Sequence, residues 1–136
     1  MKNTGIVIIE DDEVLRNAYT TLINDVEGFH VVNSYGSFED AEKFIVNDSP
    51  AVVMLDIELP GASGIEAILW IKKKLPKSYI VMLTVYESEE QIFNALSNGA
   101  SGYWPGAHSF PRSRMQMEGL GVRLADARRA AVIAPP

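Results

Sequence analysis

Three runs of this chain, Ile6-Val7-Ile8-Ile9, Ala51-Val52-Val53-Met54-Leu55 and Tyr79 to Leu83, are apolar on both strand faces. Strands of that kind are buried on both sides, so the sheet they form must be covered by helices above and below. The intervening segments read as those helices. Residues 13–26 set Val14, Leu15, Ala18, Leu22 and Ile23 on one helical face. Ser37 reads as an N-cap with Asp40 three residues on, ahead of a helix that buries Phe38, Ala41, Phe44 and Ile45. After the Pro60-Gly61 turn, Ile65, Ile68, Leu69 and Leu75 line the next helix. Ser88-Glu89-Glu90 opens another, with Ile92, Phe93, Ala95 and Leu96 inward, closed by Asn98-Gly99. Phe29 to Ser34 supplies a second strand, and Ser101-Gly102-Tyr103 begins a fifth. Strands joined through helices of about ten residues or more pair in parallel with right-handed crossovers. The predicted class is α/β, a doubly wound five-stranded parallel sheet.

At 136 residues the chain is sized for one domain with a full core. It has no cysteine, which excludes a disulfide scaffold, a thiolate zinc site and a thiol nucleophile. No apolar run approaches the ~20 residues of a membrane span. Met1-Lys2-Asn3-Thr4 is too short for a signal peptide, so a cytoplasmic protein away from membranes is expected. A net charge of −6 argues against nonspecific nucleic-acid binding. That charge is unevenly spread. Residues 1–103 carry seven cations against sixteen acids, whereas residues 104–136 carry five arginines, no lysine, two acids and four of the seven prolines.

Open α/β sheets bind ligands at the carboxyl ends of their strands. Glu10, Asp11, Asp12 and Glu13 follow the first strand, Asp56 the third and Thr84 the fourth. Taken singly, acids at a helix start are caps and dipole partners, Asp56 is a turn former, and Thr84 is an ordinary strand residue. None of those roles explains why all three groups share one end of one sheet. Clustered carboxylates repel one another, and a hard divalent cation such as Mg²⁺ offsets that repulsion. Beside such an ion, a carboxylate left partly free can attack phosphorus, with the Thr84 hydroxyl donating to a phosphoryl oxygen.

Four ordered motifs resemble the receiver domain of bacterial response regulators, the acceptor module of two-component signalling. They are Ile8-Ile9-Glu10-Asp11-Asp12-Glu13, Leu55-Asp56-Ile57-Glu58-Leu59-Pro60-Gly61-Ala62-Ser63-Gly64, Leu83-Thr84, and Asn98-Gly99-Ala100-Ser101-Gly102-Tyr103. The resemblance covers about residues 5–103. It implies the flavodoxin-like strand order 2-1-3-4-5, with Asp56 as phospho-acceptor, Thr84 as phosphoryl contact and switch, and Tyr103 as the switch aromatic. It implies Mg²⁺ held by Asp11, partly through water, by Asp12 directly, by Asp56, and by the backbone carbonyl of Glu58. Pro60 and Gly64 shape the loop beside the acceptor. The implied phosphoryl donor is a histidine kinase or phosphotransfer protein. A homodimer is allowed, and nothing in the chain implies direct nucleic-acid binding.

The pattern breaks after Tyr103. The family continues through two apolar residues to a lysine that pairs with the phosphoryl group, but here Trp104-Pro105-Gly106 follows and Gly106 takes the lysine's place. The loss of that ammonium removes one charge-assisted contact. Residues 1–103 are therefore read as the receiver and residues 104–136 as an atypical C-terminal segment. That segment is either a divergent end with a helix over Arg114 to Ile133, or an end replaced by a frame change or cloning junction. Rival functions are a degenerate receiver acting as an interaction module and a phosphatase working through an aspartyl phosphate. The phosphatase would require a second Asp where Glu58 stands, and a flavin site would require a glycine- and hydroxyl-rich loop where the acids stand. His30 and His108 lack partners at metal-ligand spacing, Lys72-Lys73-Lys74 reads as a solvated face, and Trp70 as a surface aromatic.

Overall fold

The computed structural model describes residues 4–56, 64–83, 94 and 96–104, with Gly102–Trp104 described by their backbone. Strands β1 (Thr4–Ile9), β2 (Phe29–Tyr35), β3 (Val52–Asp56), β4 (Tyr79–Leu83) and β5 (Gly102–Trp104) form one sheet in the order β2-β1-β3-β4-β5. Every recorded pairing is parallel. Helices α1 (Glu13–Asn24), α2 (Phe38–Asp48) and α3 (Gly64–Lys74) connect or flank these strands. The fold class and strand order expected from the sequence are those observed.

Side chains alternate along a strand, so each apolar run supplies two cores. On one face, Val7, Ile9, Val53, Leu55, Ile80 and Met82 pack against Phe38, Ala41 and Ile45 of α2 and Ala67, Ile68 and Ile71 of α3. On the other, Ile6, Ile8, Val52, Met54, Val81 and Leu83 pack against Tyr19 and Ile23 of α1. At the amino ends of the strands, the buried Ser78 hydroxyl donates to the Pro50 carbonyl at 2.6 Å. The Ser101 hydroxyl accepts from the Ile80 amide, guiding the chain into β5.

Helix phase differs from the sequence expectation at three positions. Val14, Phe44 and Leu69, which the sequence pattern places inward, are 77%, 54% and 50% exposed. Successive helix residues are turned by about 100°, and the stripe through Leu15, Tyr19, Leu22, Ile23 and Val26 leaves Val14 a full step outside it. Phe44 and Leu69 are similarly displaced from the stripes of α2 and α3. Phe44 instead stacks on the Tyr35 ring with centroids 6.4 Å apart. Trp70 is not a free surface aromatic, since it meets Phe38 edge to face at 5.5 Å and packs against the core. The lysine run is split as well. Lys73 and Lys74 are exposed, whereas Lys72 is half-buried and donates to the Ser78 carbonyl at 3.0 Å. Burial holds its ammonium below the usual lysine range.

Ser37 caps α2 as expected, accepting from the Asp40 amide. Gly99 closes the turn after Leu96 at φ +116°, a backbone region that favours glycine. The expected helix beginning at Ser88 lies largely outside the described residues, as does all of 105–136. No helix among the described residues is long and apolar enough to cross a membrane.

Candidate functional site

The site follows from strand parity. In the β1–β3 ladder Ile8 pairs with Met54 and Ile9 with Leu55. One step further along the same register, Glu10 meets Asp56. Glu10 falls on the same face as Ile6 and Ile8, and Asp56 on the same face as Val52 and Met54, which is the face covered by α1. Two strands thus deliver two carboxyls to one point above α1's side of the sheet. Asp11, at the start of the β1–α1 loop, adds a third. Carboxylate oxygens of Glu10, Asp11 and Asp56 all lie within 4.8 Å of one another.

Their burial is graded. Asp11 is exposed, Asp56 half-buried and Glu10 only 3% exposed. Burial, a side-chain hydrogen bond with Asp56, and the charges of Asp56, Asp11 and Asp12 together push the Glu10 carboxyl up to about 9. Without a cation, Glu10 therefore carries a proton at neutral pH. Burial, followed by the charges of Glu10, Asp56 and Asp12, likewise raises the Tyr19 phenol above its ordinary value. The Glu10 Oε2 atom is buried with no hydrogen-bond partner among the described residues. Oxygen-only donors, mutual repulsion and an orphaned buried carboxyl oxygen are together what a hard divalent cation would satisfy. The residues present fit such an ion.

Asp12, expected from the resemblance as the direct ligand, has a different position. It is the N-cap of α1, with Oδ1 accepting from the Val14 amide at 2.9 Å and the Leu15 amide at 3.1 Å. Glu10 stands in the carboxylate group where Asp12 was expected. The signal that distinguishes the two acids is positional. The last buried residue of β1 is Ile9, so the next residue inherits the strand's inward face, while a residue two before Val14 starts the helix. Asp12→Ala is expected to cost about 1 kcal/mol through loss of the cap, while Asp12→Asn, which keeps an acceptor oxygen, stays near the parent. Urea denaturation of the three proteins measures this directly.

Tyr103 is placed in β5 in register with Met82. Glu58, Thr84, Pro60, His108 and Gly106 lie outside the described residues, and so does any contact between Thr84 and Asp56.

The family model described as the response regulator receiver domain matches residues 6–105. The oxygen regulatory protein NreC of Staphylococcus haemolyticus is 34% identical over 99 residues, covering 72% of this chain and 46% of that protein. The response regulator GacA of Pseudomonas aeruginosa is 30% identical over 98 residues, covering 72% and 46%. The chain spans about half the length of the curated relatives it matches. Among solved structures, a LuxR-family two-component response regulator from Aurantimonas is 27% identical with a TM-score of 0.79, covering 92% of this chain and 87% of that one. The signal receiver domain of NarL from Mycobacterium tuberculosis shares the fold at a TM-score of 0.81 and 17% identity, covering 93% of this chain and 98% of that one.

Proposed function

The chain belongs to the response regulator receiver domain family of two-component signalling, and on that premise we propose that Asp56 accepts a phosphoryl group in a Mg²⁺-dependent reaction. The observation that carries this reading is the convergence of Asp56 with Glu10 and Asp11 at the carboxyl end of the sheet. Glu10, Asp11 and Asp56 would hold the ion, with Asp12 keeping its role as helix cap. When bound, Mg²⁺ supplies charge neutralisation for the phosphoryl oxygens and fixes their direction of approach.

The remaining steps belong to the chain. An Asp56 carboxylate oxygen attacks phosphorus in line with the leaving group. The new bond is an acyl phosphate, and the bond that breaks is the phosphorus–nitrogen bond of a phosphohistidine on a histidine kinase or phosphotransfer protein. The electron pair returns to the donor's imidazole. The half-exposed position of Asp56 leaves it open to such a donor, whereas buried Glu10 is not. Thr84, next after Leu83 on β4, is the hydroxyl to contact the phosphoryl group, and Tyr103 the aromatic that follows it. The expected setting is the cytoplasm, where kinase and receiver meet.

A second reading, an interaction module that is never phosphorylated, is favoured by Gly106 at the position of the expected lysine. An aspartyl-phosphate phosphatase is the third. Incubation with an acyl phosphate and Mg²⁺ separates them. Incorporation of one phosphoryl group per chain supports the receiver, sustained turnover of a phosphate monoester supports the phosphatase, and no incorporation in folded protein supports the module.

A further inference from the structure

Glu10 is held by its backbone as well as by its carboxyl. Its amide donates to the Tyr35 carbonyl at the end of β2, at 3.0 Å. Its carbonyl accepts from Nη1 of Arg16 at 2.8 Å. Both main-chain polar groups of this residue are therefore fixed from different elements. The carbonyl is part of the peptide plane leading into Asp11, so the guanidinium orients the link between two members of the carboxylate group.

Arg16 is itself anchored. Its amide donates to the Asp12 carbonyl at 2.8 Å, in the first turn of α1, and its own carbonyl accepts from the Thr20 hydroxyl at 2.8 Å. The guanidinium lies against Gly36, where an added Cβ would stand 3.1 Å from Nη1. The absence of a side chain at Gly36 leaves the room this group occupies. A planar, always-charged fork can hold a carbonyl in a direction that a single ammonium on a flexible stem cannot.

We propose that Arg16 is a positioning residue for the cation site, clamping the Glu10 carbonyl so that Glu10 and Asp11 present their oxygens toward Asp56. This rests on the reading of Glu10, Asp11 and Asp56 as the cation-binding group. Groups one step outside a metal's ligands commonly alter its affinity by about 10–100-fold when removed, because they set ligand direction.

Calorimetric titration of the full chain with Mg²⁺ tests this, using the parent, Arg16→Met, Arg16→Lys and Gly36→Val. Thermal unfolding without metal is measured beside each titration. Arg16→Met is expected to weaken Mg²⁺ binding about tenfold, with Arg16→Lys between it and the parent. Gly36→Val keeps the guanidinium but crowds it, and is expected to weaken binding as well. Unchanged Mg²⁺ affinity in Arg16→Met, even with a lowered melting temperature, would overturn the clamp by reducing Arg16 to a structural residue. Full recovery in Arg16→Lys would also overturn it, since charge alone would then suffice. If Arg16→Met does not fold, unchanged affinity in Gly36→Val overturns it. No Mg²⁺ binding by the parent would overturn the cation-site reading, and the clamp with it, whereas equal binding by parent and variants overturns the clamp alone.

Discussion

Glu10→Gln is expected to be more stable than the parent at pH 7 in the absence of divalent cations, by about 2–3 kcal/mol, or ~10 °C in Tm. The parent's Glu10 is held near 9 in the folded protein by burial and by Asp56, against an ordinary value of 4.5. Between those two values the folded state keeps a proton that the unfolded state has released. Folding then takes up a proton, and stability falls as pH rises through that window, reaching its floor above about pH 9. Glutamine carries no such dependence, and its amide can donate to Asp56 as the acid proton does. The two proteins are therefore expected to converge near pH 4.5 and to diverge as pH rises. Mg²⁺ narrows that gap. The parent gains stability with metal concentration, by ~2.7 kcal/mol at a hundredfold excess over its Kd, whereas the variant gains much less. Thermal melts at several pH values, with and without Mg²⁺, check both halves. A variant no more stable than the parent at pH 7 would contradict a protonated Glu10 in the metal-free site.

Leu55→Ala is expected to lower stability by about 2–5 kcal/mol while leaving the site's chemistry in place. Leu55 is fully buried in the core beneath α2 and α3, one residue before Asp56 and on the opposite face of β3. Truncation leaves a cavity among Ile9, Ile68 and their neighbours, which rigid strands on both sides cannot close. The carboxylates on the α1 face depend on backbone register and not on that packing. The increment in Tm given by Mg²⁺ should accordingly match the parent's, although both melts start lower. Denaturant unfolding gives the loss of stability, and the melts with metal give the increment. A lost increment would show that the two faces of the sheet are energetically coupled.

Much of the fold was legible because both faces of three strands are apolar, a pattern that admits little besides a covered parallel sheet. The capping of α2 by Ser37 and the turn at Gly99 were readable for a similar reason, since each rests on a local rule. Helix phase was less readable. Val14 and Leu15 are adjacent apolar residues, and only packing against β1 decides which faces inward. Tyr19 is absent from the apolar face read for residues 13–26, yet it is buried on that side of the sheet and near the acidic group. In the site, the sequence named Asp11 and Asp56, which the structure brings together with Glu10, but four consecutive acids at Glu10 to Glu13 conceal which is last on the strand and which first on the helix. Glu10 and Asp12 lie two residues apart, and where the strand ends and the helix begins decides which role each takes. Parity along β1 resolves it in the structure, with Glu10 turned inward beside Asp56 and Asp12 turned to the free amides of α1.

The central claim is that Asp56 takes the phosphoryl group, and intact mass tests it most directly. The full chain is incubated with an acyl phosphate, with and without Mg²⁺, beside an Asp56→Asn variant whose folding is verified. The account predicts one added phosphoryl group in the parent with Mg²⁺, and none either without the metal or in Asp56→Asn. Equal incorporation in Asp56→Asn, or no incorporation in a folded parent at saturating Mg²⁺, would contradict it.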